Sequence, residues 1–292
     1  MRPVLLIGSS GFLGLELARA LRLAGLPAVL AARRPHAIPA DLGLEHATKL
    51  SLDATHSSAL EQLLVLLRPR AIVMAAALAR IADCDREPDQ ARELNTRAPE
   101  RLAALCARYG VRLVHVSTDL VYGRQAPPSR GFREEAPAGP CSFYGETKLQ
   151  GERAVMTACP EALVVRLPLL CGASHGRELG ASDSLLAALL RNESPQLFED
   201  EYRTPLRVED AARALVELLD SEVRGLLHVA GPERLSRVEL AERVLLAAGL
   251  DPSRLVRTTR AAAGMADRPA DCSLDSARAC EHLPWLAAAR VP

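Results

Sequence analysis

Four short, continuously apolar runs alternate with amphipathic stretches between residues 4 and 117, and this alternation restricts the fold more than any other feature of the chain. The runs are VLLIG (4–8), PAVLAA (27–32), AIVMAAA (71–77) and RLVHVS (112–117). Their length and unbroken apolarity fit strands buried on both faces, as in a parallel sheet covered by helices. Between them, LELARALRLAG, SSALEQLLVLLR and PDQARELNTRAPERLAALCARYG carry helical spacing, the first and third closing on glycine. That order predicts an α/β fold, a doubly wound parallel Rossmann sheet with helices on both faces.

Beyond ALVVRLP (162–168) the pattern is less regular. A Gly/Ser loop (172–182), a helix near 183–192 and a helix opened by Glu209 and Asp210 follow, then an LLHVA strand. LSRVELAERVLLAAG sets Ser236 and Glu239 at capping-box spacing, with Gly249 as a stop. The expected division is a Rossmann domain over 1–165 and a smaller C-terminal α/β substrate lobe over 166–292, partly interleaved with the sheet. The stretch from Gly123 to Cys141, rich in Pro, Gly, Arg and Glu, reads as a surface loop that shapes a site.

With 36 basic and 36 acidic residues the formal charge is zero, so no global field draws the chain to nucleic acid or an anionic membrane. The seven cysteines are scattered without a C-x-x-C pair, which argues against a zinc site and for a reducing compartment. No apolar run reaches membrane-spanning length. A soluble cytoplasmic protein, with no metal, is the expectation.

GSSGFLG sets Gly8, Gly11 and Gly14 directly after the first strand and at the mouth of the first helix, with Ser10, Phe12 and Leu13 among them. Such a turn lets backbone approach a pyrophosphate, and the helix N-terminus offers it free N–H groups. The second strand ends in LAARRP, where a carboxylate would bind a ribose 2′-OH. Arg33 and Arg34 stand there instead and suit a 2′-phosphate, so NADP(H) is favoured over NAD. Asp53, closing KLSLD, is a candidate for the adenine amino group or a turn residue.

Only two lysines, Lys49 and Lys148, stand among the 36 basic residues, and Lys148 follows one of four tyrosines by four positions. About 0.03 such pairs are expected by chance from this composition. On a helix, Tyr144 and Lys148 share a face, and the ammonium favours the phenolate, so the tyrosine can exchange a proton with a carbonyl or alcohol. VHVSTDLVYG supplies Ser117 and Thr118 at the end of the fourth run, on the carboxyl edge where open sheets bind ligands. Thr118 is the choice for orienting the substrate oxygen, with Ser117 beside it.

Gly-x-x-Gly-x-x-Gly, strand-end Ser-Thr-Asp and Tyr-x-x-x-Lys, in that order, resemble an extended short-chain dehydrogenase/reductase. AAALARIADCDREPDQARELNTRAPERLA, YGETKLQGE, RTPLRVEDAARAL and RPADCSLDSAR narrow the resemblance to the dTDP-4-dehydrorhamnose reductase family. It implies an NADPH-dependent reductase in dTDP-rhamnose biosynthesis, with Thr118, Tyr144 and Lys148 as the catalytic set. It further implies that Ala75, Ala76 and Ala77 line the cofactor, that Asn95 supports the lysine through water and that Asp119 lies near the sugar. Arg203, Arg207 and Arg268 are candidates for the substrate diphosphate, and a homodimer is one expected assembly. After Arg166 the chain reads VVRLPLLCGASHG, without the Trp and Tyr common in the family. The chain also resembles the regulatory β subunit of methionine adenosyltransferase, at AARRP and across GLLHVAGPERLSRVELAERV. A regulatory binding module is therefore one alternative, and an epimerase or dehydratase acting on another nucleotide sugar is a second.

Overall fold

The computed structural model describes residues 1–34 and 42–292. The N-terminal part runs β1 (Val4–Ile7), α1 (Phe12–Leu23), β2 (Ala28–Ala32), β3 (Thr48–Ser51), α2 (Ser57–Leu67) and β4 (Ala71–Met74). It continues with α3 (Ile81–Arg86), α4 (Pro88–Arg92), α5 (Ala98–Tyr109), β5 (Arg112–Thr118), α6 (Phe143–Ala158) and β6 (Leu163–Leu167). β7 (Leu170–Cys171), α7 (Gly180–Leu190), β8 (Gln196–Phe198), β9 (Tyr202–Arg203), β10 (Leu206–Arg207) and α8 (Val208–Glu217) follow. The last elements are β11 (Gly225–His228), β12 (Leu235–Ser236), α9 (Arg237–Ala247), β13 (Val256–Thr258) and α10 (Ala277–His282).

Chain contacts divide these residues into two units. The first holds Met1–Thr118, Phe143–Arg166 and Ala212–Leu227; the second holds Asp119–Ser142, Leu167–Ala211 and His228–Pro292. The central sheet is seven-stranded and parallel, in the order β11-β6-β5-β4-β1-β2-β3. All four residues of β1 are sealed from solvent, and so are those of β4, because helices cover both faces of the sheet. β3 escaped the sequence reading because TKLS, at the edge, has exposed ends and only half-buried centres.

Two sequence elements changed form on folding. The long amphipathic stretch after residue 87 is not one helix: Glu93–Arg97 forms a π-helical segment between α4 and α5. AIVMAAA leaves the ladder after Met74, although Ala75 N–H still donates to the Ile7 carbonyl at 2.9 Å. In the second unit, short two-stranded pairings (β7 with β10, β9 with β12, β8 with β13) surround a core that includes Leu185, Leu189, Leu240 and Leu245. Ser236 and Glu239 form the expected capping box on α9.

Candidate active site

β1 lies between β2 and β4, so the winding of the sheet reverses there and the carboxyl ends of β1 and β4 flank a crevice. A cleft of about 470 Å³ occupies it, lined by Gly8, Ser10, Gly11, Arg33, Arg34, Asp53 and the three alanines Ala75–Ala77. Gly8 has φ +96°, and a Cβ on it would lie 2.5 Å from the Ala76 nitrogen. A Cβ on Gly14 would lie 2.1 Å from the Gly8 carbonyl oxygen. The two glycines thus serve different ends: Gly8 brings the turn against the backbone after β4, and Gly14 lets α1 sit on that turn. Gly11 is the N-cap of α1 and provides no side-chain cap. The N–H groups of Phe12, Leu13 and Gly14, ahead of the helix's own hydrogen bonds, are thereby left for an anion.

Arg33 and Arg34 are both exposed just past β2. The Asp53 carboxylate accepts from the Thr55 N–H (2.9 Å) and hydroxyl (2.7 Å), so it closes a turn while also facing the cleft. Burial works against its ionisation, but the Thr55 bonds and the charges of His56 and Arg33 hold it below the ordinary carboxylate range.

Tyr144 and Lys148 lie one turn apart on α6, the lysine only 2% exposed. Its Nζ donates to the Val116 carbonyl at 2.7 Å and lies 3.3 Å from Nε2 of His115. Burial pushes the ammonium down to about 8, opposed by the Glu152 carboxylate. Thr118, buried, closes β5 two residues beyond the carbonyl that anchors Lys148. Ser117 is turned elsewhere: its hydroxyl donates to Oε1 of Glu152 at 2.5 Å. The same carboxylate takes a two-pronged pair from Arg166, Nε to Oε1 at 2.9 Å and Nη2 to Oε2 at 2.6 Å, with both residues sealed from solvent. This buried pair ties α6 to β6, and through Ser117 to β5. Glu152→Ala would take the paired carboxylate from a buried guanidinium and is expected to lower unfolding free energy by about 3–5 kcal/mol in urea titrations. An unchanged midpoint would show that the pair holds nothing.

Asn95 lies in the π-helical segment and is fully buried, which removes its alternative as an exposed helical Asn. Its Oδ1 accepts from Leu78 N–H (2.9 Å), while Nδ2 donates to the Leu78 carbonyl (3.1 Å) and the Thr147 hydroxyl (3.1 Å). It therefore staples the segment after β4 to α6 beside Lys148. Gly151 permits the approach, since a Cβ there would meet the Asn95 carbonyl oxygen at 2.2 Å.

The remaining candidates belong to the second unit and are described within it. Asp119 pairs with Arg203 (3.4 Å), which also faces Glu201 (3.4 Å), and all three are buried. Arg268 donates to Glu201 from Nε at 2.9 Å, and Arg237 lies 4.0 Å from it. Burial resists ionisation of Glu201, yet Arg203, Arg268 and Arg237 together hold its carboxyl below the usual range. Arg207 stands apart, half exposed beside Glu209 at 3.6 Å.

Sequence reasoning missed His115 and Glu152. The histidine was visible as the one ionisable group inside the apolar stretch LVHV, and the carboxylate as the acidic residue one turn after Lys148 in KLQGE. Their roles come from partners distant in sequence.

A family model described as the RmlD substrate binding domain matches residues 1–285. Methionine adenosyltransferase 2 subunit beta of Bos taurus is 32% identical over 228 residues, which make up 76% of this chain and 67% of that protein. dTDP-4-dehydrorhamnose reductase of Mycobacterium tuberculosis is 35% identical over 190 residues, 63% of this chain and 61% of that protein. The solved structure of a hypothetical dTDP-4-dehydrorhamnose reductase from Sulfolobus tokodaii gives a TM-score of 0.81 at 28% identity, covering 96% of this chain and 94% of that one.

Proposed function

The chain belongs to the RmlD substrate binding domain family, and from that premise we propose that it is an NADPH-dependent reductase of a nucleotide-linked 4-keto-6-deoxysugar, with dTDP-4-dehydrorhamnose as the first substrate to test. The observation that carries this reading is Lys148, an ammonium buried one turn from Tyr144 and anchored on the strand that ends in Thr118. Burying a cation is costly, and a fold that only binds a nucleotide has no need of one beside a phenol.

The cleft fits a dinucleotide. A Cβ on Gly8 would strike the backbone of Ala75 and Ala76, so only glycine lets the turn close there; the open N-terminus of α1 meets anionic oxygens, and Arg33 and Arg34 offer paired donors to a 2′-phosphate. NADPH, when bound, supplies the hydride. Tyr144 gives its proton to the carbonyl oxygen of the sugar as that oxygen gains charge. Lys148 stabilises the phenolate left behind, and the Thr118 hydroxyl donates a hydrogen bond to the developing oxyanion. The Ser117 hydroxyl is engaged by Glu152, which leaves Thr118 as the strand-end hydroxyl for the substrate oxygen. In the second unit, Arg268 and Arg207, partly exposed, are the candidates for the substrate diphosphate, whereas Arg203 is enclosed by Asp119 and Glu201.

The test is the loss of NADPH absorbance in the presence of dTDP-4-dehydrorhamnose. Absence of oxidation despite tight NADPH binding would overturn the reductase reading for this sugar and favour the second reading. That reading is an NADP-binding regulatory subunit, supported by the identity with the methionine adenosyltransferase β subunits. Replacing both Arg33 and Arg34 with Ala should weaken NADPH about tenfold to a hundredfold while hardly changing NADH, as isothermal titration would measure. Equal losses for both would mean that the arginines are surface charges only.

A further inference from the structure

An ammonium has three N–H donors, and β5 engages two of those on Lys148. One reaches the Val116 carbonyl at 2.7 Å, and another faces Nε2 of His115 at 3.3 Å. His115 is fully buried in a strand whose neighbouring Leu113 and Val114 are apolar and equally sealed. Its Nδ1 is buried with no hydrogen-bond partner among the described residues. An aliphatic or phenyl side chain would fill that space without a stranded polar atom, so packing alone does not account for an imidazole there.

The ammonium also determines the state of the ring. Nε2 can face it favourably only with its lone pair, which leaves the ring neutral and places the proton on Nδ1. Burial first, and the charge of Lys148 second, push His115 toward the same neutral form. On the α6 side, the groups near the ammonium are Tyr144, one turn back, and Glu152, one turn on and held by Arg166. Glu152 contributes charge, whereas His115 contributes a directed acceptor.

We propose that His115 is a positioning residue, whose Nε2 holds the Lys148 ammonium against β5 and leaves one N–H of that ammonium for a ligand. The proposal deepens the reductase reading and rests on it only for the kinetic half of its test. Because the chain has two lysines, a protein labelled with ¹³C and ¹⁵N in lysine gives two side-chain signals, and Lys49 serves as the internal reference.

In His115→Phe, which keeps a ring and removes the acceptor, the Lys148 titration midpoint should fall by about one unit while that of Lys49 stays put. His115→Gln, which restores an acceptor, should bring it back. In turnover, His115→Phe should lower kcat about tenfold to a hundredfold with little change in KM, and the basic limb of the pH profile should move with the NMR midpoint. An unchanged Lys148 titration in His115→Phe would overturn the proposal. If that variant does not fold, the wild-type imidazole ¹⁵N shifts decide. A neutral Nδ1–H tautomer near pH 7 supports the proposal, and an Nε2–H tautomer or an ordinary histidine titration overturns it. Should the NMR shifts follow expectation while the wild type reduces no nucleotide sugar, the reductase reading falls and the positioning of Lys148 by His115 stands.

Discussion

Tyr144→Phe should reduce kcat by about 10²–10⁴-fold, the range that removal of a positioned proton donor commands. NADPH affinity should stay within about twofold, because the substitution takes away one oxygen and leaves the buried ring in place. Stopped-flow oxidation of NADPH with the sugar substrate reads the first quantity, and fluorescence titration without substrate reads the second. The two together separate chemistry from binding. A Tyr144→Phe protein that turns over at the wild-type rate would show that the proton comes from elsewhere. One that loses both turnover and NADPH binding would show that the hydroxyl serves the fold.

Lys148→Met should move activity and stability in opposite directions. Burial pushes the ammonium in the folded chain from its ordinary 10.5 down to about 8. The depressed value means that the unfolded chain binds more protons between those pH values, so wild-type stability should rise as pH climbs through that window. Below it the full cost of burying the charge is present, about 3 kcal/mol from the size of the shift. Methionine removes that cost and forfeits the bond to the Val116 carbonyl, which leaves a net gain of about 1–3 kcal/mol at pH 7. Thermal unfolding at pH 7 should show a midpoint a few degrees higher, and the advantage should shrink toward pH 10. Turnover of the same variant should fall by at least about a hundredfold. In the wild type, the rate should decline above pH 8 as the ammonium loses its proton. A destabilised Lys148→Met protein would mean that the lysine is held by interactions worth more than its burial costs.

Much of this site could be read from local sequence because the physical demands there are local. Gly8 and Gly14 had to be glycines if a strand turned directly into a helix over a phosphate, and the clearances of 2.5 Å and 2.1 Å for added Cβ atoms give the reason. The four apolar runs became β1, β2, β4 and β5 because continuous short apolarity has few other uses. Tyr144 and Lys148 share a face because α6 forms, and an i, i+4 pair then has no alternative arrangement.

What the sequence left open depended on partners far along the chain. Asp53 proved both a turn residue and a wall of the cleft, since Thr55 lies two residues away while Gly8 and Ala76 arrive through the sheet. Asn95 reads from sequence as an exposed helical position or a site residue, and only the π-helical segment turns it inward to Leu78 and Thr147. Ser117 and Thr118 are alike in composition and adjacent. Strand alternation sends Ser117 to Glu152, and Arg166, fourteen residues on, pairs with that carboxylate in the interior. By itself, then, the sequence determined the four inner strands β1, β2, β4 and β5, the phosphate turn and the tyrosine–lysine face, each the outcome of forces acting within a few residues. The tertiary structure alone decided how the Lys148 ammonium is held on β5, by the Val116 carbonyl and His115, more than thirty residues before it in the chain. A buried charge takes its behaviour from whichever groups the fold brings within a few ångströms, and no local pattern specifies them.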